Sequence, residues 1–127
     1  MVPIVSIVGS SGSGKTTLVK GLAKGLNIDP HDVSSPTFVI MNIYGTRRKL
    51  YHFDLYRLND FKEIADIGYE EFLFGDGLAV VEWADKLKEG LPQECLKISI
   101  EHKEENRREI SLLPQGERYR RLLDKIK

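Results

Sequence analysis

A glycine-rich segment near the start of the chain has the spacing of a phosphate-binding loop. Residues 9–16 read Gly-Ser-Ser-Gly-Ser-Gly-Lys-Thr, which matches G-x-x-x-x-G-K-[ST] at every fixed position. Such glycines let backbone N–H groups turn toward phosphate oxygens, and the helix that follows adds its positive N-terminus. We expect Lys15 to reach the β- and γ-phosphates of a nucleotide and Thr16 to ligate Mg²⁺. The expected nucleotide-binding residues are Gly9, Ser11, Gly12, Ser13, Gly14, Lys15, Thr16 and Thr17.

Two carboxylates are candidates for the acidic group that P-loop enzymes need beside the phosphates. Glu82 ends the apolar run Leu-Ala-Val-Val, and this arrangement favours it as the acid on the Mg²⁺ side. Asp54 lies in a run of aromatic and aliphatic residues and competes with Glu82 for the roles of metal holder and water-orienting base. The alternative for Asp54 is a structural ion pair, for instance with Arg57, since a buried carboxylate is costly without a partner.

Three further side chains have both a functional and a structural interpretation. Thr37 offers a hydroxyl where a γ-phosphate sensor usually lies, or it simply begins a strand. Trp83 could stack on a base or on a partner, or it could fill the core. For His52 we expect packing within its aromatic strand rather than catalysis.

The elements that must position these residues follow from hydrophobic patterning. A buried strand, Val2 to Val8, precedes the glycine-rich segment, and an amphipathic helix, Lys15 to Leu26, follows it. This context is the one that a phosphate-binding loop requires. Gly25 and Pro30 are expected to end the helix. Further strands are predicted at residues 38–44, 49–55, 78–83, 96–101 and 109–113, with hairpin turns at residues 45–48 and 103–108.

The chain is predicted to end in an amphipathic helix, Glu117 to Ile126. Its inward residues would be Tyr119, Leu122, Leu123 and Ile126. Interleaved strands and helices with an antiparallel hairpin predict an α/β fold. We expect a single P-loop NTPase domain over residues 1–127, a three-layer α/β/α sandwich with a mixed central sheet.

Composition sets the broad class of the protein. The 127 residues include 41% hydrophobic and 30% charged residues, as in ordinary globular proteins, and 19 basic side chains balance 19 acidic ones. There is therefore no global field that would attract nucleic acid or an anionic membrane. The single cysteine, Cys95, excludes an internal disulfide and is expected to be a small buried residue. The apolar N-terminus is too short for a membrane span, and a cytoplasmic location is expected.

Several segments behind the glycine-rich loop together resemble the TsaE family, also called YjeE. They are Ser35-Pro36-Thr37-Phe38, the run from Tyr51 to Leu58 (Tyr-His-Phe-Asp-Leu-Tyr-Arg-Leu), Glu82-Trp83, and the tail from Arg107 to Ile110 with Pro114 and Gly116. The likeness covers roughly residues 9–120. TsaE is the bacterial ATPase of tRNA threonylcarbamoyladenosine (t6A) biosynthesis. The resemblance therefore implies a weak, Mg²⁺-dependent ATPase that acts with TsaB and TsaD and meets tRNA only through that complex.

The resemblance also implies roles for single residues. Glu82 matches the family's acid on the magnesium side, and Asp54 matches its acid beside the γ-phosphate, a candidate for water activation. Thr37 falls in the family's switch-like loop, and Trp83 matches the tryptophan next to the metal acid. Arg108, or its neighbour Arg107, would lie near the adenine.

The N-terminus departs from the family's usual pattern, in which a helix and a strand precede the loop. The opening of this chain, Val2 to Gly9, looks more like the MobB group of molybdopterin-guanine dinucleotide proteins. A MobB-like nucleotide-binding protein and a small-molecule kinase are therefore the alternatives, although no arginine-rich lid of a kinase is evident. A GTPase is disfavoured because the guanine-selective Asn-Lys-x-Asp signal is absent from the sequence.

Overall fold

A mixed sheet with helices packed against it forms the framework of the protein. The computed structural model describes residues 3–9, 14–33, 41–55, 77–82 and 93–126. The elements within these ranges are β1 (Ile4–Gly9), α1 (Lys15–Gly25), a 3₁₀ turn (Pro30–Asp32), β2 (Met41–Tyr44), β3 (Leu50–Asp54), β4 (Leu78–Glu82), β5 (Cys95–Glu104), β6 (Arg107–Gln115) and α2 (Glu117–Ile126). The predicted α/β class is confirmed.

The four central strands of the sheet are parallel, so their carboxyl ends lie at one edge. The sheet runs β2-β3-β4-β1-β5-β6. Strands β3, β4, β1 and β5 are parallel to one another, and the edge strands β2 and β6 pair antiparallel to β3 and β5. The predicted mixed sheet with an antiparallel hairpin is therefore confirmed. Since ligands of open α/β sheets bind at the carboxyl ends of the strands, this edge is where a site is expected.

Both faces of the central strands are buried. Consecutive residues of β3 and β4, among them Tyr51, His52, Ala79 and Val80, are inaccessible to solvent or nearly so. Double-sided burial is what a sheet between two layers requires, and it explains the nearly continuous apolar runs of these strands. Val8 is an exception to the predicted burial of β1, because 60% of its surface is exposed.

Cys95 is buried at the start of β5, as the sequence predicts. Loss of solvent around the sulfur raises the pKa of its thiol above the ordinary value. The thiolate is the reactive form of cysteine, so this residue is chemically quiet and serves the core.

A hydrogen-bonded motif with Asn27 in the left-handed conformation follows the end of helix α1. Asn27 has a left-handed backbone, with φ 62°. Its N–H bonds to the carbonyl of Lys24 at 3.1 Å, and the N–H of Ile28 bonds to the carbonyl of Ala23 at 2.9 Å. These two bonds form a Schellman motif, which satisfies carbonyls that the helix end leaves unpaired. Gly25 is the last helical residue, one position before the predicted limit at Leu26, so the prediction that the helix ends around Gly25 is confirmed.

Strands β5 and β6 are longer than predicted. Their pairing continues through the polar residues on both sides of the tip, with an irregularity between His102 and Glu104, and only Glu105 and Asn106 form the turn. Backbone hydrogen bonds are independent of side-chain polarity, so an antiparallel hairpin can extend beyond its apolar pattern.

Only part of the apolar face of α2 packs inward. Tyr119 is buried, and its hydroxyl accepts a hydrogen bond from the Ile4 N–H at 2.9 Å. Leu123 packs against the core, but Leu122 and Ile126 are 49% and 67% exposed. The prediction that these two residues face inward is wrong, because packing against the core ends near Leu123. Neither helix in the described ranges is long and apolar enough to cross a membrane.

The left-handed conformation of Asn27 gives a test of the helix stop. We expect Asn27→Ala to lower the free energy of unfolding by about 1 kcal/mol, because alanine pays a steric cost in this conformation that asparagine and glycine largely avoid. Asn27→Gly is the matched control and should be close to wild type. Urea denaturation measures both variants. Equal stability of the alanine and glycine variants would contradict this account of the helix end.

Candidate functional site

Helix α1 begins at the edge of the sheet where the parallel strands end. Gly14 precedes the helix with φ 111°, a conformation that favours glycine. Among the described residues no side chain caps the helix at Gly14, and its first turn contains no acidic residue. The first N–H groups of a helix have no partner within the helix, and its dipole is positive at this end. The arrangement suits a phosphate group, as the sequence motif predicts.

Lys15 and Thr16 occupy the first turn of this helix. Both side chains are half-buried, whereas Thr17 is exposed. The Lys15 ammonium lies 3.6 Å from Glu82 Oε1, so the cation is directed across the sheet edge toward the end of β4. Lys15 and Thr16 therefore lie where phosphate and Mg²⁺ contacts are expected.

Glu82 is a buried carboxylate at the carboxyl end of β4. Its side chain is only 8% exposed. Oε1 faces Lys15, and Oε2 accepts a hydrogen bond from His52 Nε2 at 2.6 Å. A buried carboxylate is tolerated when it is paired and hydrogen-bonded, and both conditions hold here. The position agrees with the sequence expectation of an acid at the end of a buried strand.

Asp54 lies beside Glu82 at the end of the neighbouring strand. The two residues are register partners in the parallel pairing of β3 with β4. The backbone N–H of the next residue, Leu55, bonds to the Glu82 carbonyl at 3.1 Å, which keeps the two strand ends together. Asp54 is half-buried. Both predicted acids therefore lie at one edge, on the same face of the sheet. Arg57, the suggested ion-pair partner of Asp54, lies outside the described residues.

His52 is a site residue that the sequence analysis missed. Packing among aromatic residues was expected, and its ring does lie near Tyr44, with 6.3 Å between ring centroids. However, the short bond to Glu82 makes His52 part of the acidic site. A signal for this was present in the sequence, because a polar ring in a buried strand needs a partner, and residues two apart on a strand share a face. His52 and Asp54 have that spacing.

A groove of about 640 Å³ extends from the helix start toward the β5–β6 hairpin. Gly14 and Thr17 lie at the helix side of this groove, and Arg108 and Ile110 line it from β6. The volume is within the usual range of small-molecule pockets. Of the two arginines proposed near adenine, Arg108 lines the groove, whereas Arg107 lies 3.4 Å from Glu104 in an exposed ion pair.

The remaining predicted site residues lie outside the described ranges. They are Ser11, Gly12, Ser13, Thr37 and Trp83. Gly9 is described and ends β1, directly before the loop.

Comparison with known proteins identifies the family. The family model described as threonylcarbamoyl adenosine biosynthesis protein TsaE matches residues 2–110. The chain belongs to the TsaE family. The matched region includes the N-terminal strand that resembles MobB, so this stretch is also accommodated by the TsaE pattern.

Similar proteins of the TsaE family come from distant bacteria. A tRNA threonylcarbamoyladenosine biosynthesis protein TsaE from Bacillus subtilis is 41% identical over 97% of this chain and 77% of its own length. Its counterpart from Treponema pallidum is 38% identical over 86% of this chain and 80% of its own length. The crystal structure of Bacillus subtilis YdiB superimposes with a TM-score of 0.77 at 34% identity, covering 98% of this chain and 76% of YdiB. The TsaE fold is thus shared across nearly the whole chain.

The described side chains are chemically suited to a nucleotide and Mg²⁺. The uncapped helix start with Lys15 offers positive charge to phosphates. The Thr16 hydroxyl and the Glu82 carboxylate are hard oxygen donors of the kind that Mg²⁺ prefers. Lys15 Nζ already lies 3.6 Å from Glu82 Oε1, which shows that a positive charge can be accommodated beside this carboxylate.

Without nucleotide, Lys15 should stabilise the fold through Glu82. We expect Lys15→Met to lower the free energy of unfolding by about 1–2 kcal/mol, because a buried carboxylate loses its nearest cation. Lys20→Met is the matched control, since Lys20 is exposed on the same helix and should matter little. Urea denaturation without nucleotide compares the two. Lys15→Met protein as stable as Lys20→Met protein would show that the contact contributes nothing.

Proposed function

We propose that this protein is a Mg²⁺-dependent ATPase that serves t6A formation on tRNA together with TsaB and TsaD. The observation that carries the proposal is the junction of Lys15, Glu82 and Asp54 at the uncapped start of α1, in a chain of the TsaE family. Phosphate-binding and acidic groups at one sheet edge are the parts that ATP hydrolysis needs. TsaB and TsaD enter through the family resemblance.

In this proposal, the nucleotide lies along the groove with its phosphates at α1. The triphosphate would meet the backbone N–H groups of the glycine-rich loop and the Lys15 ammonium. Arg108 and Ile110 would meet the base at the other end of the groove, with Thr17 between base and phosphates. Thr16 and Glu82 would hold Mg²⁺, which supplies charge neutralisation on the β- and γ-phosphate oxygens.

Hydrolysis transfers the γ-phosphoryl group from ATP to water, and ADP is the leaving group. The water oxygen bonds to the γ-phosphorus while the bond to the β–γ bridging oxygen breaks, and the proton that water loses ends on the released phosphate. Asp54 would accept that proton transiently or orient the water. Lys15 would stabilise the negative charge that develops on the phosphates. Thr37 and Trp83 would complete the site, next to the γ-phosphate and beside Glu82 respectively.

The proposed function is tested by t6A formation over several turnovers. Purified protein is combined with TsaB, TsaD, tRNA, ATP and the threonylcarbamoyl-adenylate donor, and t6A is quantified. We expect t6A to depend on this protein and to fail with Lys15→Ala, whose affinity for ATP should fall about 10–100-fold with the lost charged contact. Lys20→Ala is the matched control and should support t6A. Formation of t6A that is indifferent to the protein would refute the role and direct attention to kinase acceptors.

The two acids should separate into different steps. We expect Glu82→Ala to weaken the Mg²⁺-dependent part of ATP binding. Asp54→Ala should leave ATP affinity close to wild type and slow hydrolysis by about 10²–10⁴-fold, the usual contribution of a general base. Isothermal titration and phosphate release measure the two effects. Equal losses of nucleotide affinity in both variants would refute this division of roles.

A further inference from the structure

The two oxygens of the Glu82 carboxylate have different neighbours. Oε2 accepts the hydrogen bond from His52 Nε2 at 2.6 Å, and Oε1 lies 3.6 Å from Lys15 Nζ. One oxygen is thus held from within the sheet, and the other faces the start of α1. Rotation of the carboxylate would break the first contact, so the bond to His52 determines which way the second oxygen points.

The surroundings of His52 indicate that its hydrogen bond to Glu82 explains why position 52 is a histidine. The ring is fully buried in strand β3. An ionised carboxylate can only accept, so Nε2 carries the hydrogen and donates it. Nδ1 has no hydrogen-bond partner among the described residues. An apolar side chain would fill the same space but would deprive Glu82 Oε2 of this donor, so packing alone does not account for histidine.

We propose that His52 is a positioning residue that holds the Glu82 carboxylate so that Oε1 faces the Mg²⁺ and phosphate site. The inference rests on the proposed function, in which Glu82 serves the Mg²⁺ side. Carboxylates that ligate metals are themselves hydrogen-bonded, and loss of such a partner typically weakens metal affinity or activity by about 10–100-fold. His52 contacts neither nucleotide nor metal in this role and acts only through Glu82.

Two substitutions of similar shape isolate the hydrogen bond. His52→Met removes the donor, while His52→Gln keeps an N–H donor on a side chain of about the same length. The first measurement is the crystal structure of each variant without nucleotide. We expect Glu82 to keep Oε1 toward Lys15 in the glutamine variant and to rotate in the methionine variant. An unchanged Glu82 in the methionine variant overturns the proposal, whether or not the protein binds ATP.

The second measurement compares the affinity for a non-hydrolysable ATP analogue in Mg²⁺ and in EDTA. For His52→Met, the gain in affinity that Mg²⁺ provides should fall about 10–100-fold, while the affinity in EDTA changes little. His52→Gln should retain most of the gain. A merely structural role would weaken binding equally in both solutions, and that result overturns the proposal.

The two measurements separate the inference from the proposed function. Wild-type protein that fails to bind the analogue refutes the ATPase proposal, and the crystal structures then decide the positioning role alone. If circular dichroism shows that His52→Met is unfolded, His52→Phe replaces it, because phenylalanine keeps a ring beside Tyr44 without an N–H donor. The same two outcomes then apply to the phenylalanine variant.

Discussion

Burial of a carboxylate at the end of β4 is the constraint on which the site depends. Glu82 is almost removed from solvent, and its charge is offset by the Lys15 ammonium and a hydrogen bond from His52. These partners come from α1 and β3, on either side of the strand that carries the acid. The desolvation cost of the carboxylate is met only when helix, β3 and β4 hold their relative positions. The residues proposed to bind phosphate are thereby tied to the core.

The parallel register explains how distant segments meet. Glu82 is paired with Ile7 on β1 and with Asp54 on β3, so the strand that leads into the glycine-rich loop and the strand that carries the second acid end at one level. On the other side of β1, the hairpin of β5 and β6 borders the groove that begins at Gly14. The start of α1, the carboxylates of Asp54 and Glu82, and an apolar groove therefore lie along one edge of the sheet. This division of space suits a nucleotide with an uncharged base and a charged tail.

Sequence patterns predicted the elements more reliably than their limits. The strand, helix and hairpin assignments agree with the described residues, because apolar periodicity reports which faces are buried. The end of α1 was predicted to within one residue, but the left-handed residue that follows it is Asn27, since asparagine, like glycine, can adopt this conformation. The inward face of α2 was overestimated at Leu122 and Ile126, because periodicity does not show how far along a helix the packing continues.

The sequence by itself determined the motif proposed to bind phosphate, since its chemistry depends on neighbouring residues whose spacing is set by the chain. It also located Asp54 and Glu82 as acids at strand ends, where a buried carboxylate is costly unless it has a partner or a metal ion. The partnership of His52 with Glu82 was decided only by tertiary structure. The two residues are 30 positions apart, and their contact depends on the register of β3 against β4. Side-chain alternation assigns each residue to one face of its strand, but only the pairing of two strands decides which side chains on that face are neighbours.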